Sequence, residues 1–129
     1  MDRFFLRAGA ISGFVSVFAG AFGAHALRAR ISPEHLQTFE TGARYQMYHA
    51  LALLAVAWLV SRSPSNTALW AGRLFLIGTL LFSGSLYLIA LTGVTRFGLV
   101  TPFGGVAFLA GWICLALAAG SGRVLDPPV

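Results

Sequence analysis

Four long apolar runs dominate the chain, at about residues 4–27, 43–60, 74–92 and 102–119, with short polar connections between them. A helix needs roughly 20 apolar residues to cross the bilayer's hydrocarbon core of about 30 Å, so each run fits one crossing. Arg7 lies near the start of the first run and His49 inside the second; Tyr87 is the third run's one ionisable side chain, and the fourth has none. The runs are continuous and lack the alternation of a membrane barrel. The pattern predicts an all-α polytopic membrane protein, a bundle of four transmembrane helices forming one domain over residues 1–129.

The connection before the second run has its own signature. Ser32-Pro33-Glu34 reads as a helix start, with Ser at the N-cap, Pro at the first helical position and an acid near the positive end of the dipole. Leu36 and Phe39 alternate with Glu34, His35, Gln37 and Glu40, which predicts a short interfacial helix over 33–42 leading into the second span. Gly42 is the expected flex point. Residues 120–129, with Pro127-Pro128, are expected to form a flexible tail.

Small residues predict where the helices meet. Gly9, Gly13, Ser16, Gly20 and Ala24 recur at three- to four-residue steps in the first run, and Gly104, Ala107 and Gly111 do so in the fourth. Such stripes let a neighbouring backbone approach closely and also allow a homo-oligomer. Trp58 and Trp70 fall near one membrane face, as interfacial anchors do.

Composition agrees. Of the residues, 57% are hydrophobic and 10% charged, against about a quarter charged in soluble domains. The formal charge of +5 does not indicate a nucleic-acid partner: the basic residues are all arginines, placed singly or in pairs at the ends of apolar runs. The N-terminus, the loop over 61–73 and the tail carry Arg3, Arg7, Arg62, Arg73 and Arg123, while the other face carries Arg28, Arg30, Arg44 and Arg96. That small excess favours cytoplasmic N- and C-termini. Ala24-His25-Ala26 mimics a signal-peptide cleavage site, but the preceding apolar stretch exceeds the roughly 7–15 residues of a signal core; a retained helix is expected. Cys114, the single cysteine, reads as a small hydrophobe in the last run.

Alternating helix directions gather the polar residues on one membrane face: His25, Arg28, Arg30, Glu34, His35, Glu40, Arg44, Tyr45, Tyr48, His49, Arg96 and Thr101. Within this group His25, Arg28, Glu40, Arg44, Tyr48 and His49 are the candidate ligand-binding residues. Glu40 and Arg44 are spaced for an intrahelical ion pair that would hold the hairpin. Glu40 and His49, nine residues apart, are half a turn out of phase, so His49 must find its partner on another helix, with His25 the nearest candidate in topology. An ionisable side chain within a span is a functional candidate by default.

Two histidines without a nearby acid or Cys on the same face do not make a haem or metal site, so neither metal nor cofactor is expected. No nucleophile–base constellation appears around Ser83 or Ser85, and no catalytic residue is assigned. The small multidrug exporters need a glutamate in their first helix, where this chain reads Phe14-Val15-Ser16-Val17. The small fluoride channels are excluded too, because Ile77 to Ser85 lacks their sodium-binding break and the second run has no asparagine.

The stretches Gly20-Ala21-Phe22-Gly23-Ala24-His25-Ala26-Leu27 and Leu36-Gln37-Thr38-Phe39-Glu40-Thr41-Gly42-Ala43-Arg44-Tyr45-Gln46-Met47-Tyr48-His49-Ala50-Leu51 resemble the domain of unknown function 423 family of small membrane proteins. That family looks related to eukaryotic transmembrane protein 256. Phe82-Ser83-Gly84-Ser85-Leu86-Tyr87 and Thr101-Pro102-Phe103-Gly104-Gly105 fit it as well. The resemblance implies a four-helix protein of the bacterial inner membrane and brings no activity with it. The resulting expectation is a non-enzymatic binding or interaction module. Its polar face would take a small ligand, a lipid headgroup or a membrane-protein partner, with Arg28, Arg44 and His49 in contact and Glu40 orienting Arg44. The alternative is a small oligomeric channel or carrier lined by His49.

Overall fold

The computed structural model describes residues 1–120; the expected tail, apart from Gly120, lies outside them. Four long helices account for most of the described chain: α1 (Asp2–Leu27), α2 (Pro33–Arg62), α3 (Asn66–Thr92) and α4 (Thr101–Gly120). A 3-10 turn, Thr95–Leu99, leads into α4. Three helical stretches are long and apolar enough to cross a membrane, namely α1, α3 and α4 with its leading turn. The 30-residue α2 is as long, but Glu34, Glu40, Arg44, Gln46 and His49 make it too polar to join them on composition alone.

Helix ends follow their local chemistry. The Ser32 hydroxyl accepts from the His35 amide at 3.1 Å, with Pro33 and Glu34 in the first turn, as the sequence predicts. Ser65 caps α3 in the same way through the Ala68 amide. Gly93 ends α3 at φ +73°, a left-handed conformation that costs glycine little. The expected helix over 33–42 runs into the expected second span without a break, and Gly42 does not act as a flex point. That helix is the first third of an unbroken α2, because Gly42 is buried against the Tyr87 ring and Leu86 of α3. Packing removes the freedom the glycine would otherwise supply.

α2 and α3 form a central pair, with α1 lying along α2 and α4 along α3. The small-residue stripes make these contacts. A Cβ on Gly9 would lie 2.9 Å from the Ala50 carbonyl oxygen, and the Ser16 hydroxyl donates to the Ala43 carbonyl at 2.6 Å. On the other side Gly104 meets the backbone of Phe82, Gly111 meets the Phe75 ring and Gly78 meets the Phe108 ring. The stripe on α1 loosens at Gly20, where nothing lies within 4 Å of a Cβ position.

Two widened π-helical turns interrupt the regular helices, Ala19–Gly23 in α1 and Thr79–Ser83 in α3. Such turns insert a residue and push the backbone outward. In α3 the widened turn presents Phe82 to Gly104.

A large apolar cluster around Phe5, Leu53, Val56, Phe75 and Phe108 fills one end of the molecule. A smaller one, Ala24, Phe39 and Ala90, fills the other. Between them Gln46, only 7% exposed, ties three helices together: its amide nitrogen donates to Ser12 (3.2 Å) and its carbonyl oxygen accepts from the Tyr87 hydroxyl (2.6 Å). Interhelical hydrogen bonds in membranes contribute on average about 0.6 kcal/mol and at most about 1.7 kcal/mol. Tyr87→Phe, which leaves the Gln46 carbonyl without its donor, should therefore lower stability by about 1 kcal/mol. Unfolding in mixed micelles with rising SDS measures it.

Candidate functional site: an aromatic groove beside His49

Because α4 leans on α3 and barely touches α2, a groove of about 620 Å³ remains between α2 and α4. Tyr45, Tyr48 and His49 form one wall, Phe82 and Phe108 contribute rings, and Pro102, Gly105, Val106, Leu109 and Trp112 complete the other. Trp112 lies ten helical steps beyond Pro102 in α4, a run of about 15 Å. That is close to the half-thickness of a hydrocarbon core of about 30 Å.

His49 closes the inner end. It is 3% exposed and lies flat on Phe108, with ring centroids 3.5 Å apart and planes 6° from parallel. Phe75 and Trp112 approach its edges. Its Nδ1–H donates to the Tyr45 carbonyl at 2.6 Å, and its Nε2 accepts from the Trp112 indole N–H at 3.1 Å. A carbonyl can only accept and an indole N–H can only donate, so the ring is held neutral with its proton on Nδ1. Both nitrogens are used, and the imidazole latches α2 to α4.

The expected partner His25 is not involved. The antiparallel register sets Ala50 beside Gly9 and Gly13, which places His25 roughly 20 Å further along α1. Trp112 takes its place, and the partner does come from another helix. His25 and Arg28 are both exposed at the end of α1.

The remaining expected site residues split into two groups. Tyr48, 49% exposed, lines the groove together with Tyr45. Glu40 and Arg44 are exposed around the helix from it, and with Ser16, Gly20, Ala43 and Met47 they line a separate notch of about 300 Å³ between α1 and α2. The structure does not join Glu40 to Arg44: neither has an ion-pair partner among the described residues. An exposed pair at this spacing contributes only a few tenths of a kcal/mol, too little to fix two flexible side chains.

Gln46, Phe108 and Trp112 were not singled out from the sequence, and Tyr87 was marked only as the third run's ionisable side chain, without a partner. A lone indole N–H in the middle of an apolar run needs an acceptor, and that was the available signal for Trp112. Ser85 pairs with Thr101 at 2.6 Å, and the buried Ser83 hydroxyl has no partner among the described residues. No three His, Cys, Asp or Glu side chains among the described residues converge on a common point. Cys114 is partly buried against the large apolar cluster.

Four packed helices, three of them apolar enough to cross a bilayer, and a largely apolar groove define an all-helical membrane protein. The chain belongs to the family described as "Protein of unknown function (DUF423)", whose profile matches residues 19–105. It is 44% identical to the UPF0382 membrane protein YwdK of Bacillus subtilis over 118 residues, 91% of this chain and 96% of the relative. It is equally identical to the UPF0382 inner membrane protein YgdD of Escherichia coli over 118 residues, 92% of this chain and 90% of that protein. A UPF0382 membrane protein of Staphylococcus aureus is 44% identical over 116 residues, 90% of this chain and 94% of its own length. No solved structure matches the chain.

Proposed function

We propose that this protein is a four-span inner-membrane binding module, and that its site is the groove between α2 and α4. The occupant is the hydrocarbon chain of an amphiphile drawn from the surrounding bilayer. The observation that carries this reading is the groove itself: about 620 Å³ and lined by aromatic rings, within the size range of small-molecule sites.

The polar ends of the site support the same assignment. Arg96 is exposed in the turn that leads into α4, where a guanidinium can meet an anionic headgroup. His25 and Arg28 lie at the same end of the molecule. Tyr45 and Tyr48 add amphipathic rings to the lining of the groove. In this reading α2 crosses the membrane as the fourth span, because Gln46 and His49 spend their hydrogen bonds on neighbouring helices. The start of α1 and the end of α4 then share one face, which the small arginine excess favours as cytoplasmic.

Gly105 provides the test. A Cβ there would meet only Phe82 Cδ2, at 4.0 Å, so a larger side chain enters the groove without disturbing helix packing. Native mass spectrometry of wild-type protein released from nanodiscs of bacterial lipids should show a retained lipid mass. Gly105→Phe should lose it with helicity and unfolding midpoint unchanged. Equal lipid retention in the two proteins would overturn the proposal.

A further inference from the structure

We infer that the exposed face of α2 around Glu40 and Arg44 is the contact surface for a second copy of this chain. The Ser16 hydroxyl bonds to the Ala43 carbonyl, so Arg44 stands level with Ser16, eleven residues from the end of α1 at Leu27. That is about 17 Å along the helix, in a protein whose α1 is long and apolar enough to cross the membrane. A hydrocarbon core of about 30 Å therefore has its midplane close to Arg44. Glu40 is one turn nearer the surface. Both side chains are exposed, and neither has an ion-pair partner among the described residues.

A carboxylate and a guanidinium facing lipid at this depth are costly, and membrane proteins bury such groups against protein or a polar cavity. Nothing else in the described chain covers them. Gln37, Glu40, Arg44, Tyr48 and Leu51 form one exposed stripe along α2. Beside it lies the notch of about 300 Å³ at Gly20, where no atom approaches within 4 Å of a Cβ position.

The charges select the occupant. A second copy inserted with the same topology brings its own α2 parallel and at the same height, so its Glu40 and Arg44 are at matching depths. Arg44 and the opposing carboxylate then differ by about 6 Å along the axis. Helical side chains lean toward the N-terminus, so each guanidinium points toward its partner's carboxylate. A two-fold axis makes the exchange reciprocal, giving two ion pairs from one self-complementary patch. This inference rests on α2 lying within the membrane; its stripe meets the edge of the groove at Tyr48, while the charges that select the second copy, Glu40 and Arg44, line the separate notch.

The test uses the full chain in liposomes at increasing lipid dilution, with the dimer fraction read by single-molecule photobleaching of labelled copies. Wild type should dimerise. Arg44→Glu and Glu40→Arg should each shift the dilution midpoint by at least about tenfold, as like charges now face each other. The double exchange E40R/R44E should restore it. A second measurement does not depend on those variants folding: in a Cys114→Ala background, Tyr48→Cys should cross-link to itself on oxidation, whereas Leu117→Cys on the exposed face of α4 should not. Monomeric wild type at every dilution, single variants that dimerise normally, or no cross-link at Tyr48→Cys would overturn the inference, and so would retention of an anionic lipid at Arg44 in its place. Labelling Glu34→Cys and Ser61→Cys with an impermeant maleimide from opposite sides of the vesicle reports separately whether α2 crosses.

Discussion

Gly104→Ala should lower the stability of this protein by about 2–3 kcal/mol, although alanine is the better helix former. A Cβ at this position would fall inside contact distance of the Phe82 backbone nitrogen and 2.8 Å from its Cα. Backbone cannot rotate away as a side-chain tip can, so the cost of overpacking is met by moving α4 off α3. The same movement would change the shape of the groove, because Pro102, Gly105 and Val106 travel with α4. Gly84→Ala is the matched control. Its Cβ would meet only the Thr79 carbonyl oxygen at 4.0 Å, so it should gain about 0.5–1 kcal/mol from reduced unfolded-state freedom. Unfolding of both variants in SDS-containing micelles gives the comparison; a Gly104→Ala protein as stable as wild type would show that α3 and α4 are not in intimate contact.

The second large effect falls on the latch. His49→Ala removes a packed ring and leaves the Trp112 N–H without an acceptor, with an expected cost of about 3 kcal/mol from cavity and lost hydrogen bond together. Trp112→Phe strands the His49 Nε2 and should cost about 1–2 kcal/mol. The double variant should cost less than the sum, with a coupling of about 1 kcal/mol. Additive losses would mean that the indole and imidazole do not act on each other. For His49 this is a different expectation from that of a ligand-contacting residue. Both of its nitrogens are occupied within the protein, so its effect on binding passes through the shape of the groove.

The elements that were legible in the sequence are those set by one helix alone. The apolar runs located all four helices, and Ser32-Pro33-Glu34 fixed the start of α2 because capping is a local exchange between neighbours in the chain. The small-residue stripes named contact faces at Gly9 and Ser16 of α1 and at Gly104 and Gly111 of α4, though not at Gly20, since absence of a side chain is itself a packing signal. What pairs with His49 was not legible. The fourth run is apolar around its whole circumference, so no periodicity said which side of α4 faces α2, and Trp112 could have pointed anywhere. The Gln46–Tyr87 bond was hidden for the same reason in α3.

The candidate site shows the same division. Helical phase alone separated Glu40 from His49, and the structure places them on different flanks of α2. The groove, in contrast, exists because α4 leans toward α3 through Gly104 and Gly111 and away from α2. That is a property of three helices at once. The widened turn Thr79–Ser83, which carries Phe82 into the contact, has no composition of its own that a reading of the chain could have used.

The central claim is that a hydrocarbon chain occupies the groove between α2 and α4. Reconstitution with phospholipids carrying a diazirine along one acyl chain, followed by illumination and peptide mapping, tests it most directly. The account predicts adducts concentrated on Tyr45, Phe82, Val106 and Leu109, and their loss in Gly105→Phe. Adducts spread evenly over the outward faces of all four helices, with Ile11 and Phe14 of α1 labelled as strongly as the groove, would contradict it.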